Sequence, residues 1–145
     1  QTGAMISSSN LEHIENFKCY GKAIGLSFQL IDDYLDYKGS PADMGKSIGD
    51  DFNNTKLTFP LISALKKGNS TERKLIENSL LKEPKDPEDL IKIIRIMEKY
   101  KTLEETKTAA RKWSSIASKS LQKLPKNDIT HLLGKVSEII VQRSS

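Results

Sequence analysis

The stretch Phe28-Gln29-Leu30-Ile31-Asp32-Asp33-Tyr34-Leu35-Asp36-Tyr37 decides how this chain is interpreted. It lies in a segment of helical periodicity, so Asp32 and Asp36 fall one turn apart on one face, with Asp33 beside them. Residues at that spacing have Cβ atoms roughly 5–6 Å apart, and like charges there repel. Asp is also a poor residue for a helix interior. Three aspartates at this spacing therefore predict a use for their charge, and the oxygen-seeking cation Mg²⁺ fits that use.

The residues around this stretch predict one long helix. Asn10 is a good N-cap, and the helix is expected to end by Gly39, before the Ser40-Pro41 loop. Gly21 and Gly25 lie one turn apart and predict close helix packing at that face. The expected apolar stripe of the helix consists of Leu11, Ile14, Phe17, Ile24, Phe28, Ile31 and Leu35.

The rest of the chain also has helical periodicity, which predicts an all-α fold without strand pairs. Thr102 and Glu105 match a capping box, and Pro125 is expected to end the helix that follows. The polar segment 38–56 is expected to be a loop that holds substrate. Further helices are expected over 2–9, 57–67 (entered through Pro60), 70–81, 87–100 and 128–142.

Composition limits the function classes. The chain has 145 residues, 37% hydrophobic and 29% charged, which is enough for one globular domain with a core. The net charge is +4, and no basic block with interleaved aromatics indicates nucleic acid. Cys19 is the single cysteine, which excludes an intramolecular disulfide. No apolar run reaches the ~18 residues of a membrane span, and no signal peptide is evident, so a cytoplasmic location is expected.

A second group of residues follows the aspartates and gives them a context. Lys46 comes ten residues after Asp36, and Gly49-Asp50-Asp51-Phe52 and Lys56 come next. Lysine serves as a point charge for phosphate, so lysines beside aspartates predict a phosphorylated ligand bridged by metal. In this order the residues resemble the second aspartate-rich motif and the lysine loop of the all-trans polyprenyl diphosphate synthases. The resemblance covers residues 1–145 as the C-terminal half of a single prenyl synthase helical domain, and the ending Val141-Gln142-Arg143 is also similar.

The resemblance implies an all-helical fold of the isoprenoid-synthase type and a prenyltransferase activity. Such an enzyme adds isopentenyl diphosphate to an allylic prenyl diphosphate, and the pattern here is most similar to bacterial octaprenyl-type synthases. It also implies Mg²⁺ as cofactor and a homodimer as the assembly. The implied roles are metal binding for Asp32, Asp33 and Asp36, diphosphate binding for Lys46 and Lys56, a place along the path of the allylic carbocation for Gln29 and Thr2, and isopentenyl diphosphate binding for Phe28 and Arg143.

Two departures from the family bear on activity. The family often has Lys-Thr where this chain has Gln1-Thr2, and the first aspartate-rich motif is absent. This chain alone is therefore expected to be inactive, and the substitution at Gln1 keeps an alternative open. The alternative is a non-catalytic regulatory or partner subunit of a heteromeric prenyl synthase. A terpene cyclase is a weaker option, since its second metal motif normally mixes Asn, Ser and Glu.

Overall fold

The computed structural model describes residues 10–38 and 49–143, without the side chain of residue 141. Every regular element within these ranges is an α-helix, so the all-α prediction is confirmed. The helix expected over 2–9 lies outside the described residues. The helices are α1 (Leu11–Lys38), α2 (Asp50–Asn53), α3 (Phe59–Lys67), α4 (Ser70–Leu81), α5 (Pro87–Lys99), α6 (Thr102–Leu121) and α7 (Asp128–Gln142).

Side-chain caps explain where several helices begin. The first backbone N–H groups of a helix have no partner within it, so a preceding side-chain oxygen stabilises the start. Asn10 accepts the N–H of Glu12 at 2.9 Å, as its predicted role as N-cap requires. Asn69 and Glu72 form a complete capping box at α4, and Asp86 caps α5, whose Pro87 is pre-shaped for the first turn.

The start and end of α6 differ from the prediction. Thr102 is the first helical residue rather than the N-cap, and its hydroxyl donates to the carbonyl of Met97 at 3.5 Å. Glu105 accepts a hydrogen bond from the Lys67 ammonium at 2.6 Å. The capping box predicted here was therefore wrong, because tertiary partners engage both side chains. The helix ends at Leu121, before the proline that was expected to end it.

Residues 1–31 and 108–145 form the first of two compact units. Side chain–backbone hydrogen bonds join its helices. The Tyr20 hydroxyl donates to the carbonyl of Leu133 at 2.9 Å, and the buried Ser27 hydroxyl donates to the carbonyl of Ala110 at 2.9 Å. Ser114 donates to the carbonyl of residue 137 at 3.1 Å. The buried core of this unit contains Tyr20, Ala23, Ala117, Leu121 and Leu124.

Residues 32–107 form the second unit. Its helices α3, α4 and α5 contact one another pairwise. The last turns of α1 and the short α2 each supply one large aromatic side chain to its core, Tyr37 and Phe52, both 1% exposed. The other core residues are Leu61, Ala64, Ile76, Leu80, Leu90, Ile93, Ile96, Met97 and Leu103.

The apolar stripe predicted for α1 was partly wrong. Leu11 is 77% exposed and Phe28 is 43% exposed, whereas Ile31 is fully buried as expected. A Cβ added at Gly21 or Gly25 would meet no atom of the described residues within 4 Å, so the predicted close packing is not found there. The buried face of α1 consists instead of Tyr20, Ala23, Ser27, Leu30, Ile31, Asp33 and Tyr37.

Candidate functional site

The three aspartates at the end of α1 have different surroundings. All three belong to the second unit, which begins at Asp32. Asp33 is only 5% exposed, whereas Asp32 and Asp36 are half-buried. One i, i+1, i+4 pattern therefore presents two aspartates at the surface and turns one inward. Burying an ionised carboxylate is costly unless hydrogen bonds compensate it.

Asp33 contacts the start of α3. Its Oδ2 accepts the backbone N–H of Phe59 at 3.1 Å. Phe59 is the first residue of α3, and the preceding Thr58 makes no side-chain cap. The carboxylate therefore satisfies a helix-terminal donor from a distant position in the sequence, where the helix dipole also favours negative charge.

Asp36 holds the segment that precedes and forms α2. Its carbonyl accepts the N–H of Gly49 at 2.9 Å, and its Oδ2 accepts the N–H of Asp51 at 3.2 Å. Burial raises the pKa of Asp36 from 3.8 to about 6, and the charges of Asp51 and Asp50 add to this rise. Negative charge is thus concentrated where a cation would relieve the repulsion.

Gly49 is required at its position for two reasons. Its φ of 80° lies in the left-handed region, which side chains disfavour. A Cβ added there would also collide with the side chain of Leu90. The chain can therefore turn from Gly49 into α2 against the second unit's core only because this residue has no side chain.

Lys56 is the predicted diphosphate-binding lysine that falls within the described residues. Its Nζ lies 3.0 Å from Asp51 Oδ1, and this hydrogen bond raises the pKa of Lys56. Half of its side chain is exposed. Since Asp51 is itself bound by Asp36, the ammonium is tied through two carboxylates to the aspartate motif. The predicted grouping of Lys56 with the aspartates is therefore present in the structure.

A buried hydroxyl pair gives the same segment a further attachment. Thr58 and Tyr37 are each 1% exposed, and the Thr58 hydroxyl donates to the Tyr37 oxygen at 3.2 Å. Neither residue has a role predicted from the sequence. Their signal in the sequence was a Tyr directly after the third aspartate and a Thr two residues after Lys56.

Phe28 and Arg143 lie together in the first unit. The Arg143 guanidinium carbon is 5.5 Å from the centroid of the Phe28 ring, within the range of a cation–π interaction. Gln29, the next residue of α1, is exposed. The sequence linked Phe28 and Arg143 only through the family resemblance, and the structure brings them into contact although 115 positions separate them (143 − 28).

Two predicted site residues, Thr2 and Lys46, lie outside the described residues. Among the residues that the structure describes, no three His, Cys, Asp or Glu side chains are grouped so that they could hold one metal ion. The donor chemistry nevertheless fits Mg²⁺, which is usually held by one or two carboxylates together with waters and substrate phosphates. The described part of the chain contains no helix long and apolar enough to cross a membrane.

Solved structures that this chain resembles include several isoprenyl diphosphate synthases. The chain superposes on a decaprenyl diphosphate synthase from Rhodobacter capsulatus with a TM-score of 0.90 and 35% identity, over 99% of this chain and 44% of that one. A polyprenyl synthase from Caulobacter crescentus CB15, complexed with calcium and isoprenyl diphosphate, gives a TM-score of 0.81 and 29% identity over the same shares. The fold is therefore that of the all-helical isoprenyl synthases.

Sequence relatives define the family. The octaprenyl diphosphate synthase of Escherichia coli (strain K12) is 31% identical over 144 residues, which are 99% of this chain and 44% of that protein. Residues 1–97 match the family model described as polyprenyl synthetase. This chain belongs to the polyprenyl synthetase family. It spans less than half the length of the relatives that it matches.

Proposed function

We propose that the protein containing this chain is a prenyltransferase that adds isopentenyl diphosphate units to an allylic diphosphate. Family membership and relatives that make octaprenyl and decaprenyl diphosphates support this activity. The observation that carries the proposal is the attachment of Lys56, through Asp51 and Asp36, to the aspartate motif at the end of α1. It combines an ammonium that attracts phosphate with carboxylates that attract a cation, as a metal-bridged diphosphate requires.

The proposed reaction begins with the loss of diphosphate. The allylic C–O bond breaks, the electron pair leaves with the diphosphate, and positive charge develops on the prenyl carbon. The double bond of isopentenyl diphosphate then supplies the electrons of the new C–C bond, and the coupled cation loses a proton to the released diphosphate as its new double bond forms. Charge thus develops at two places, so the protein's main contribution is electrostatic stabilisation and exclusion of water.

The carboxylates of Asp32 and Asp36 would hold Mg²⁺. When bound, the cation supplies Lewis-acid stabilisation of the charge on the departing diphosphate. Lys56 binds the same diphosphate. Before the diphosphate binds, the Lys56 ammonium is paired with Asp51. We propose the same role for Lys46. The family resemblance also assigns Asp33 to the metal, although its Oδ2 accepts a hydrogen bond from the start of α3.

The residues of the first unit have proposed roles at the organic part of the substrates. Gln29 and Thr2 present oxygen dipoles to the allylic cation, which such dipoles stabilise. Arg143 binds isopentenyl diphosphate, and Phe28 packs against its hydrocarbon part. The contact between Phe28 and Arg143 supports this shared role, because one residue is apolar and the other is a guanidinium suited to phosphate.

The finer properties also belong to the proposal. We infer a medium- or long-chain all-trans product of the octaprenyl type, because relatives with octaprenyl and decaprenyl products match this chain at 31–35% identity. We further propose a cytoplasmic homodimer. The calcium ion bound with isoprenyl diphosphate in the Caulobacter crescentus protein supports a divalent cation as the cofactor.

A product assay tests this function. The longest natural chain that contains this sequence is incubated with labelled isopentenyl diphosphate, an allylic primer and Mg²⁺, and the products are separated by length. We expect polyprenyl products that disappear when EDTA replaces Mg²⁺. If a well-folded chain yields product only after a second, catalytically complete subunit is added, the non-catalytic partner alternative is correct. Product formation in EDTA would contradict the metal assignment.

A further inference from the structure

Asp33 is buried like a structural residue, whereas the other two carboxylates of its motif, Asp32 and Asp36, are half-buried. It is 5% exposed, and its Oδ2 accepts the N–H of Phe59 at 3.1 Å. A hydrogen bond of this kind needs an oxygen acceptor and does not need a full negative charge. The contact therefore depends on the oxygen of the Asp33 side chain and does not require its charge.

The residue that Asp33 binds is three positions after Lys56. Directly before Lys56 the backbone makes a tight turn, in which Thr55 has a φ of 56° and the Lys56 N–H donates to the carbonyl of Asp51 at 2.8 Å. The bond from Asp51 to Asp36 holds the chain before Lys56, and the bond from Phe59 to Asp33 holds it after Lys56. Loss of either anchor would release the backbone that carries the Lys56 ammonium.

The charge of Asp33 has two opposing effects. It is attracted to the positive end of α3 and to the Lys56 ammonium, and it is repelled by Asp36, three positions further along α1. The hydrogen bond from Phe59, in contrast, requires only an oxygen acceptor and does not depend on this balance of charges. Replacing the carboxylate by an amide should therefore leave the position of the turn nearly unchanged, provided that the oxygen acceptor remains.

We propose that Asp33 is a positioning residue: its carboxylate oxygen fixes the start of α3 and thereby the turn that presents Lys56 to the diphosphate. It acts through its hydrogen bond to Phe59, with its charge dispensable, and it leaves metal binding to Asp32 and Asp36. The diphosphate part of this inference rests on the proposed function.

Four variants of the longest natural chain test the inference: Asp33→Asn, Asp33→Ala, Asp32→Asn and Asp32→Ala. Deuterium uptake of the peptide over 57–62 measures the anchor without reference to activity. The Kd of inorganic diphosphate in the presence of Mg²⁺ measures the placement of Lys56. The Asp32 pair is the matched control, because both of its variants remove a metal-binding charge and neither removes the bond to Phe59.

We expect Asp33→Ala to speed exchange over 57–62 by about tenfold, as the loss of one hydrogen bond implies, and to weaken diphosphate binding several-fold. Asp33→Asn restores both, whereas Asp32→Asn is as defective in diphosphate binding as Asp32→Ala and leaves exchange unchanged. Equal loss of affinity in both Asp33 variants, or unchanged exchange in Asp33→Ala, would overturn the inference. If the wild type binds no diphosphate, the proposed function fails, and the exchange measurement still decides whether Asp33 anchors α3.

Discussion

The buried pair of Tyr37 and Thr58 should contribute measurably to stability, and the two residues should be coupled. Each is 1% exposed, and the Thr58 hydroxyl donates to the Tyr37 oxygen at 3.2 Å. Tyr37→Phe removes the acceptor and leaves the Thr58 hydroxyl buried without it, which costs about 1–3 kcal/mol of unfolding free energy. Thr58→Val removes the donor and leaves the Tyr37 hydroxyl buried without that partner, which should cost a similar amount of unfolding free energy.

The double variant Tyr37→Phe/Thr58→Val removes both polar groups, so no buried hydroxyl is left without its partner. Its total cost should therefore be smaller than the sum of the single costs by about 1 kcal/mol or more. Urea unfolding of the four proteins measures this cycle, with midpoints compared at constant slope.

Tyr34→Phe is the matched control on the same helix. It keeps the aromatic ring, whose centroid lies 5.5 Å from the Lys38 ammonium and 5.6 Å from the Lys107 ammonium. Its effect should stay within about 0.5 kcal/mol. Strictly additive costs in the cycle, or a Tyr37→Phe variant as stable as Tyr34→Phe, would refute the reasoning that these hydroxyls depend on each other.

Three further predictions concern other parts of the second unit. A hydrogen bond from Lys99 lowers the pKa of Glu72 to about 2, so Glu72→Gln should lower the melting temperature at pH 7. The difference in melting temperature from wild type should shrink as the pH falls from about 4.5 to 2, because wild-type Glu72 becomes protonated. The control Glu77→Gln should show no such trend. Ile93→Ala empties a fully buried position and should cost about 2–5 kcal/mol in urea unfolding, and a cost below 1 kcal/mol would contradict the assigned core. Lys56→Ala should leave stability nearly unchanged, because half of the Lys56 side chain is exposed, yet weaken diphosphate binding about tenfold. Equal binding by Lys56→Ala and by Lys66→Ala would refute the role of Lys56.

The positions of the helices were predictable because local sequence patterns determine where a helix begins and ends. The cap at Asn10 and the stretches 70–81 and 128–142 combine apolar periodicity with recognisable end residues, and the structure confirms all three. The buried face of α1 was less predictable. Phe28 continues the apolar pattern and is 43% exposed, while Ser27 and Asp33 are buried. Periodicity counts apolar residues, and a functional helix can expose an aromatic and bury a hydrogen-bonded polar group.

The candidate site was predictable as a set of residue types but not as a set of contacts. The spacing of Asp32, Asp33 and Asp36 predicts that they share a helix face, but it predicts the same role for all three. Only the tertiary structure separates them, since Asp33 reaches α3 and Asp36 reaches the backbone of Asp51. These contacts could not be predicted because the partners are far apart in the sequence, and no local pattern specifies which backbone N–H a carboxylate will contact.

The central claim is that the aspartates at the end of α1 serve charge chemistry at a diphosphate. It is tested most directly by steady-state turnover of isopentenyl diphosphate by Asp32→Ala in the longest natural chain, with Asp128→Ala at the start of α7 as a matched control. We predict a fall in turnover of at least about 100-fold for Asp32→Ala, as expected when a charge-stabilising group is lost, with an unchanged melting temperature. The control should retain wild-type turnover. Wild-type turnover by a folded Asp32→Ala variant would contradict the account.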